Sequence, residues 1–126
     1  MRLNQITVPA GDIAASAAFY KTLGFRQIVA AAHYARFEAP EGDATFSIAL
    51  DQGAVGGTVV YLECDDLDAT VARLKSSGIA FISDPKDESW LWREARMRDP
   101  FGNEICLYHA GKNRRFPPWR IDGRQA

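Results

Sequence analysis

Apolar and polar positions follow the same order in two halves of the chain. The segments "ITVPAGDIAASAAFYKTLGF" (6–25) and "VYLECDDLDATVARLKSSGI" (60–79) each begin with a short apolar strand pattern. Each continues through an aspartate and a helical pattern to a glycine. The two aspartates, Asp12 and Asp66, are 54 positions apart, and the two glycines have the same separation. This constant offset predicts an internal structural repeat.

The ends of both helices are also predicted by the pattern. The two aspartates are placed to accept hydrogen bonds from free N–H groups at the helix N-termini. Gly24 and Gly78 are placed to adopt the left-handed conformation that ends a helix. The apolar faces expected to pack on the sheets are Ile13, Ala17, Tyr20 and Leu23 in the first helix, and Leu67, Val71 and Leu74 in the second.

Three strand patterns follow each helix. They are "RQIVAAA", "HYARFEA" and "ATFSIAL" in the first half, and "AFIS", "WLWREARMR" and "NEICLYH" in the second, with "DPFG" (99–102) as a type I turn. Each half therefore predicts a βαβββ module, and the fold class is α+β. We expect one domain, 1–126, made of module one (1–52), module two (57–110) and a C-terminal tail (111–126), with a glycine-rich connector at 51–57.

Composition limits the classes of function. The chain has 126 residues, 47% of them apolar and 25% charged, with a net charge of −1. This balance predicts a soluble globular protein and argues against binding to nucleic acid. The N-terminus has no signal-peptide pattern, and no apolar run is long enough for a membrane span. Cys64 and Cys106 lie in apolar strand patterns, so we expect reduced, buried thiols and a cytoplasmic location.

The doubled βαβββ order, "FYKTLGF" (19–25) and "DPFGN" (99–103) together resemble the vicinal oxygen chelate superfamily. This superfamily includes glyoxalase I, bleomycin-resistance proteins and extradiol dioxygenases, and the resemblance extends from residue 1 to about residue 110. It implies a strongly curved mixed sheet around a small-molecule pocket. It also implies a homodimer, in some members with the pocket shared between chains. It does not imply one reaction, because such a fold carries many chemistries.

Alternation along the strands predicts which side chains face the pocket. The more apolar set, such as Ile105 and Leu107, is expected beneath the helices, and the other set on the open face, where Glu94 also falls. The alternative for each polar residue is an ordinary position on an exposed sheet face. The predicted ligand-binding residues are Gln5, Thr7, Arg36, Glu38, Ser47, Tyr61, Glu63, Trp92, Arg96, Glu104, Cys106 and Tyr108.

The resemblance also implies where a metal would bind. Metal-dependent members carry one His or Glu ligand on each of four strands, and these positions fall here on Gln5, Ala49, Val59 and Cys106. Alanine and valine have no donor atom, so we expect no metal and no other cofactor. The alternative is a divalent metal at an altered site formed by carboxylates of the open face. Otherwise those carboxylates, Glu38, Glu63 and Glu104, would pair with Arg36 and Arg96 across strands.

Other chemical interpretations of single residues are weaker. Cys106 would be a nucleophile if a cation such as Arg96 lowered its pKa, but an inert buried thiol is the simpler interpretation. His33 and His109, the two histidines, have no spacing typical of a triad or a metal site, and His33 is expected at an exposed strand end. In the tail, the apolar residues Phe116, Trp119 and Ile121 predict packing on the domain or on a dimer partner. The alternative is a partly disordered tail.

Three functional hypotheses follow. The first is a metal-independent, homodimeric small-molecule binding or sequestering protein of the bleomycin-resistance type, in which Tyr61, Trp92 and Tyr108 stack on the ligand. The second is a lyase, isomerase or dioxygenase of the glyoxalase type that uses an altered metal site or Glu63 and Glu104 as acid and base. The third is a non-catalytic partner subunit with a filled cavity.

Overall fold

A computed structural model describes residues 3–51, 53 and 58–120. Most of the predicted connector and the end of the tail, including Ile121, lie outside these residues. Two compact units are present. One comprises residues 1–60 and 98–105, and the other comprises residues 61–97 and 106–126.

The first predicted module forms a four-stranded mixed sheet with one helix. The strand order is β1-β4-β3-β2, with β1 parallel to β4 and the other pairs antiparallel. The helix lies between β1 and β2 in sequence, as the βαβββ prediction requires. The elements are β1 (Gln5–Ala10), α1 (Ile13–Thr22), β2 (Arg26–Ala31), β3 (Tyr34–Glu38) and β4 (Thr45–Leu50).

The second predicted module repeats this arrangement. Its strand order is β5-β8-β7-β6, and its helix spans the same ten positions as α1 after an offset of 54. The elements are β5 (Val59–Glu63), α2 (Leu67–Ser76), β6 (Phe81–Asp87), β7 (Arg93–Arg98) and β8 (Glu104–His109), followed by a short 3-10 helix at Gly111–Arg114. The α+β class and the tandem βαβββ modules are confirmed.

Both helices begin and end as predicted. The Asp12 and Asp66 carboxylates each accept a hydrogen bond from the backbone N–H three residues later, at 3.0 and 3.1 Å. Gly24 and Gly78 have φ angles of 101° and 94°, which a residue with a side chain adopts only under strain. These four residues fix where the apolar face of each helix starts and stops.

Most of the apolar residues predicted beneath the helices are buried or half-buried, whereas Ile6 and Leu50 are more than a third exposed. The open faces are not uniformly exposed, since they also contain the buried side chains Ser47, Glu94, Cys106 and Tyr108. In the first module Val8, Ala35, Phe37, Phe46 and Ile48 are buried, and the Tyr20 ring contacts Phe37 and Phe46. In the second module the buried strand residues are Val60, Ala95, Met97, Ile105 and Leu107, and the buried residues of α2 are Leu67, Val71 and Leu74.

The turn "DPFGN" belongs to the first compact unit, although it lies in the second module by sequence. There, the Tyr20 hydroxyl donates a hydrogen bond of 2.7 Å to Asp99 Oδ2. Asn103 Nδ2 donates to the same oxygen at 2.6 Å and to the carbonyl of Pro9 at 2.7 Å. Burial and the Asp99 carboxylate hold the pKa of Tyr20 far above its ordinary value, so Tyr20 remains a neutral donor. This turn is therefore attached to α1 and to β1 by side-chain hydrogen bonds.

The connection between β6 and β7 differs from the prediction. The pattern placed a strand from residue 90, but β7 begins at Arg93 and β6 extends to Asp87. Leu91 has a φ of 67°, and Glu88 N–H donates to the carbonyl of Trp92 at 2.8 Å, which closes a tight turn. This turn places Trp90 outside the strand.

Candidate functional site

Three aromatic side chains meet on the open face of the second sheet. The rings of Trp92 and Tyr108 stack, with centroids 4.4 Å apart and planes at 15°. Tyr61 meets both rings edge-on, each with a centroid distance of 6.0 Å. The structure therefore brings together the three aromatic residues predicted to bind the ligand.

The three rings differ in what they offer a ligand. Tyr108 is 5% exposed, because it lies against Trp92, whereas Tyr61 is 48% exposed. Burial and the nearby Glu63 carboxylate raise the pKa of Tyr108. Tyr61 and Trp92 thus provide accessible ring surface, and Tyr108 supports the Trp92 ring from behind. The idea that Tyr108 itself stacks on a ligand needs this correction.

A buried carboxylate lies beside these rings. Glu94 is 5% exposed, and its Oε1 accepts hydrogen bonds from Arg96, at 2.8 Å from Nη2 and 3.3 Å from Nε. Its Oε2 accepts a 2.6 Å bond from Trp90 Nε1, and the thiol of Cys106 contacts Oε1 at 3.5 Å. Glu94 therefore joins three side chains of this face into one network.

The network keeps Glu94 ionised. Burial alone would raise its pKa, but the hydrogen bonds from Arg96 and Trp90 and the charge of Arg96 outweigh burial and lower the pKa. The Arg96 guanidinium also lies 5.8 Å from the Tyr61 ring centroid. The predicted pairing of Arg96 with a carboxylate is thus present, but the partner is Glu94 on the same strand.

The other two carboxylates predicted on the open face of this sheet are Glu63 and Glu104. Glu63 accepts backbone hydrogen bonds from Ala110 and Gly111 at 2.8 and 2.9 Å, and Arg114 Nε lies 3.8 Å from its other oxygen. It therefore anchors the chain where the tail begins. Glu104 is half-buried at the start of β8.

The open face of the first sheet carries a second polar cluster. The Tyr34 and Ser47 hydroxyl oxygens are 2.6 Å apart, and Arg36 Nε donates to the Tyr34 oxygen at 2.9 Å. The hydrogen bond with Ser47, and then that with Arg36, lower the pKa of Tyr34. Of these three residues, Arg36 and Ser47 were predicted; Tyr34 was not.

The remaining predicted residues of the first sheet do not join this cluster. Gln5 Oε1 accepts a 2.7 Å hydrogen bond from Thr45, and Thr7 is exposed on β1. Glu38 lies 4.0 Å from Arg26 with both side chains more than half exposed. The predicted pairing of Glu38 with Arg36 is therefore wrong.

The tail corrects another expectation. Phe116 and Trp119 are 55% and 56% exposed, so neither is buried on its own chain. The Arg120 guanidinium lies 4.6 Å from the Phe116 ring centroid. Burial against a partner chain stays a prediction for both side chains. In the part of the chain that the structure describes, no helix is long and apolar enough to cross a membrane.

The comparisons with known proteins agree with this architecture. The model of the Glyoxalase/Bleomycin resistance protein/Dioxygenase superfamily matches residues 2–107. The chain belongs to this superfamily. Its fold is shared by a glyoxalase/bleomycin resistance protein/dioxygenase from Nocardioides, at 23% identity and a TM-score of 0.79, covering 97% of this chain and 90% of that one.

Two further solved structures show the same superfamily fold. A lactoylglutathione lyase from Agrobacterium tumefaciens has 19% identity and a TM-score of 0.75, covering 86% of this chain and 92% of that one. A bleomycin-binding protein complexed with bleomycin has 24% identity and a TM-score of 0.70, covering 86% and 98%. No curated protein sequence matches significantly.

The residues of this superfamily member do not fit the usual metal site. Ala49 and Val59 have no donor atom, and Gln5 Oε1 already accepts a hydrogen bond from Thr45. Cys106 is fully buried, and its thiol contacts Glu94. Within residues 3–51, 53 and 58–120, no three His, Cys, Asp or Glu side chains form a group suited to a metal.

Sequence reasoning missed three contributors to these clusters. Glu94 was placed on the open face but not among the predicted ligand-binding residues, although it lies two residues from both Trp92 and Arg96 and shares their face. Tyr34 carried the same signal, since it lies two residues before Arg36 and shares its strand face. Trp90 carried it as well, because the predicted strand began at residue 90 and put Trp90 on the same face as Trp92 and Glu94, but Trp90 lies in the turn before β7 and contacts Glu94 from there.

Proposed function

We propose that this protein binds and sequesters a small aromatic molecule without a metal, on the open face of its second sheet. The observation that carries the proposal is the stack of Trp92 on buried Tyr108, with the exposed Tyr61 ring beside it. Large exposed aromatic surface that is fixed from behind is typical of a site for a flat ligand. The bleomycin-binding structure of the same fold is consistent with such a role.

The polar network defines what else the ligand would meet. Arg96 is half-buried, lies over Tyr61 and is held by Glu94, so its position is fixed before any ligand arrives. Preorganisation of this kind reduces the entropic cost of binding. A flat ring on Trp92 and Tyr61, with a hydrogen-bond acceptor toward Arg96, is therefore the ligand class that this face supports.

Tryptophan fluorescence tests the proposal with bleomycin as the probe, because that ligand occurs in a structure of the same fold. We expect bleomycin to quench the tryptophan fluorescence of the wild-type protein saturably. Trp92→Ala should weaken binding at least about tenfold, since loss of a large aromatic contact costs roughly 1–3 kcal/mol. Trp119→Ala removes an exposed tail tryptophan and is the matched control.

The proposal fails if Trp92→Ala and Trp119→Ala bind every flat aromatic tested equally well. A thermal-shift screen extends the test to other aromatic metabolites, because a ligand that binds the folded state raises Tm. Metal analysis of protein purified without chelators is the complementary measurement. A stoichiometric divalent metal would favour the enzymatic alternative instead.

We also propose that the protein works as a cytoplasmic homodimer, which the exposed tail aromatics Phe116 and Trp119 support. Sedimentation equilibrium gives the mass directly. A monomer at all concentrations, in the wild type and in a variant with both residues changed to Ser, contradicts the dimer. Dissociation in that variant alone supports it.

A further inference from the structure

The first sheet carries an arginine, Arg36, that has no carboxylate partner among the described residues. Arg36 is half-buried, and its cross-strand neighbours are Val29 and Ser47, neither of which is charged. Among the described residues no carboxylate lies within ion-pair distance of Arg36. The nearest acid on its own strand face, Glu38, lies toward Arg26 instead. A cation removed from part of its water without an anion is costly unless a ligand supplies one.

The contacts of Arg36 leave its outer edge available. Its Nε donates to the Tyr34 hydroxyl at 2.9 Å, which fixes the guanidinium plane. The two terminal nitrogens make no hydrogen bond to the part of the chain that the structure describes. Two parallel N–H groups on one edge match the two oxygens of a carboxylate or phosphoryl group.

The Tyr34 hydroxyl supplies a third hydrogen-bond donor. Tyr34 and Ser47 have two hydroxyl hydrogens and share one hydrogen bond, so one hydrogen remains uncommitted. Ser47 is fully buried and has no other side-chain hydrogen bond within the described ranges. A leftover donor on Ser47 would be buried and unsatisfied, so Ser47 donates to Tyr34. The leftover hydrogen then belongs to Tyr34, which is half-buried beside Arg36.

We propose that Arg36 and Tyr34, positioned by Ser47, form an oxyanion-binding site on the open face of the first sheet. The ligand group is a carboxylate or phosphoryl oxygen, bound by the two terminal nitrogens of Arg36 and by the hydroxyl of Tyr34. The lowered pKa of Tyr34 supports the assignment, because a more acidic hydroxyl is a stronger hydrogen-bond donor to an anion. This site is independent of the aromatic face proposed above.

NMR of the isotope-labelled full chain tests the site with benzoate, inorganic phosphate and benzamide. Benzamide has the ring of benzoate without its charge and controls for binding through the ring alone. We expect benzoate or phosphate to shift the Arg36 Nε–Hε resonance saturably and benzamide to leave it unchanged. The tighter of the two anions assigns the ligand as a carboxylate or a phosphoryl group.

Single substitutions separate the contributions of Arg36, Tyr34 and Ser47 to anion binding. Arg36→Gln should weaken anion binding about tenfold or more, as expected for loss of charge-assisted hydrogen bonds. Tyr34→Phe should weaken it about fivefold. Ser47→Ala should retain measurable binding while raising the pKa of Tyr34, which an absorbance titration of the phenol reports. Arg26→Gln is the matched control, since Arg26 lies on the same sheet with an 84% exposed side chain.

The site is overturned if neither anion shifts the Arg36 signal in the wild-type protein. It is also overturned if Arg36→Gln and Arg26→Gln bind benzoate equally well. Because the wild-type titration needs no substitution, an unfolded variant does not obscure the result. Failure here leaves the fluorescence test of Trp92 unaffected, since that test reads the other sheet.

Discussion

Asp99 and Glu94 are both carboxylates that the fold buries almost completely, at 4% and 5% exposure, but their surroundings differ. Within the described part of the chain, Asp99 accepts hydrogen bonds only from neutral groups: a tyrosine, an asparagine amide and two backbone N–H groups. Glu94 accepts from a cation and an indole on an open sheet face. The first closes a turn against α1, and the second organises a surface.

The difference separates residues that stabilise the fold from residues that shape the open face. The residues around Asp99 that make the chain recognisable are used to attach the "DPFGN" turn to Tyr20 and Pro9. The residues around Glu94 determine which chemistry the open face presents to a ligand. Membership of the superfamily, whose model matches residues 2–107, therefore says little about the ligand that the open face would bind.

The largest expected effect in this comparison comes from Asp99→Ala. It leaves the hydroxyl of Tyr20 and the amide of Asn103 short of a buried acceptor, so unfolding free energy should fall by about 3 kcal/mol or more. Chemical denaturation measures this loss. Tyr20→Phe, which removes a single donor, should cost only about 1–2 kcal/mol. Equal, small losses in both variants would show that Asp99 is no more important to the fold than one hydrogen bond.

Glu94→Gln should cost less, about 1–2 kcal/mol near neutral pH, because Arg96 remains partly exposed to water. The loss should also depend on pH. The folded-state pKa of Glu94 lies below the ordinary value of 4.5, so the charge contributes stability above about pH 4.5. This contribution is lost as pH falls through the lowered pKa.

Denaturation of the wild type and Glu94→Gln across acidic pH checks the sign. The stability gap between the two proteins should be constant above the ordinary pKa and should narrow below it. A gap that widens toward low pH would mean that the folded state raises the pKa of Glu94. The same series on Glu38→Gln is the control, since Glu38 is exposed and 4.0 Å from Arg26.

Much of the fold could be predicted because it depends on local patterns. The spacing of apolar residues placed Phe37, Ile48 and Ile105 beneath the helices, since side chains alternate strictly along a strand. The helix limits followed from caps and glycines whose geometry is set within a few residues.

Individual side-chain contacts, in the core and at the candidate site, were less predictable, because they join positions that no local pattern relates. Tyr20 and Asp99 are 79 residues apart, and their hydrogen bond requires the folded chain. Trp90 reaches Glu94 only because Leu91 takes a left-handed conformation, which leucine rarely adopts and no residue type signals here. Alternation gave the face of each residue but not its partner.

Trp90→Phe gives the smallest expected effect and tests whether the Glu94 network extends to the turn before β7. It removes only the indole N–H that donates to Glu94 Oε2, so stability should fall by about 1 kcal/mol or less. The pKa of Glu94 should rise toward its ordinary value, because one stabilising hydrogen bond is lost. Carboxyl NMR titration follows this directly, with Trp119→Phe as the matched control. An unchanged Glu94 titration would mean that Arg96 alone keeps the carboxylate ionised. The charge of Glu94 would then depend on residues of β7 and not on the turn that contains Trp90.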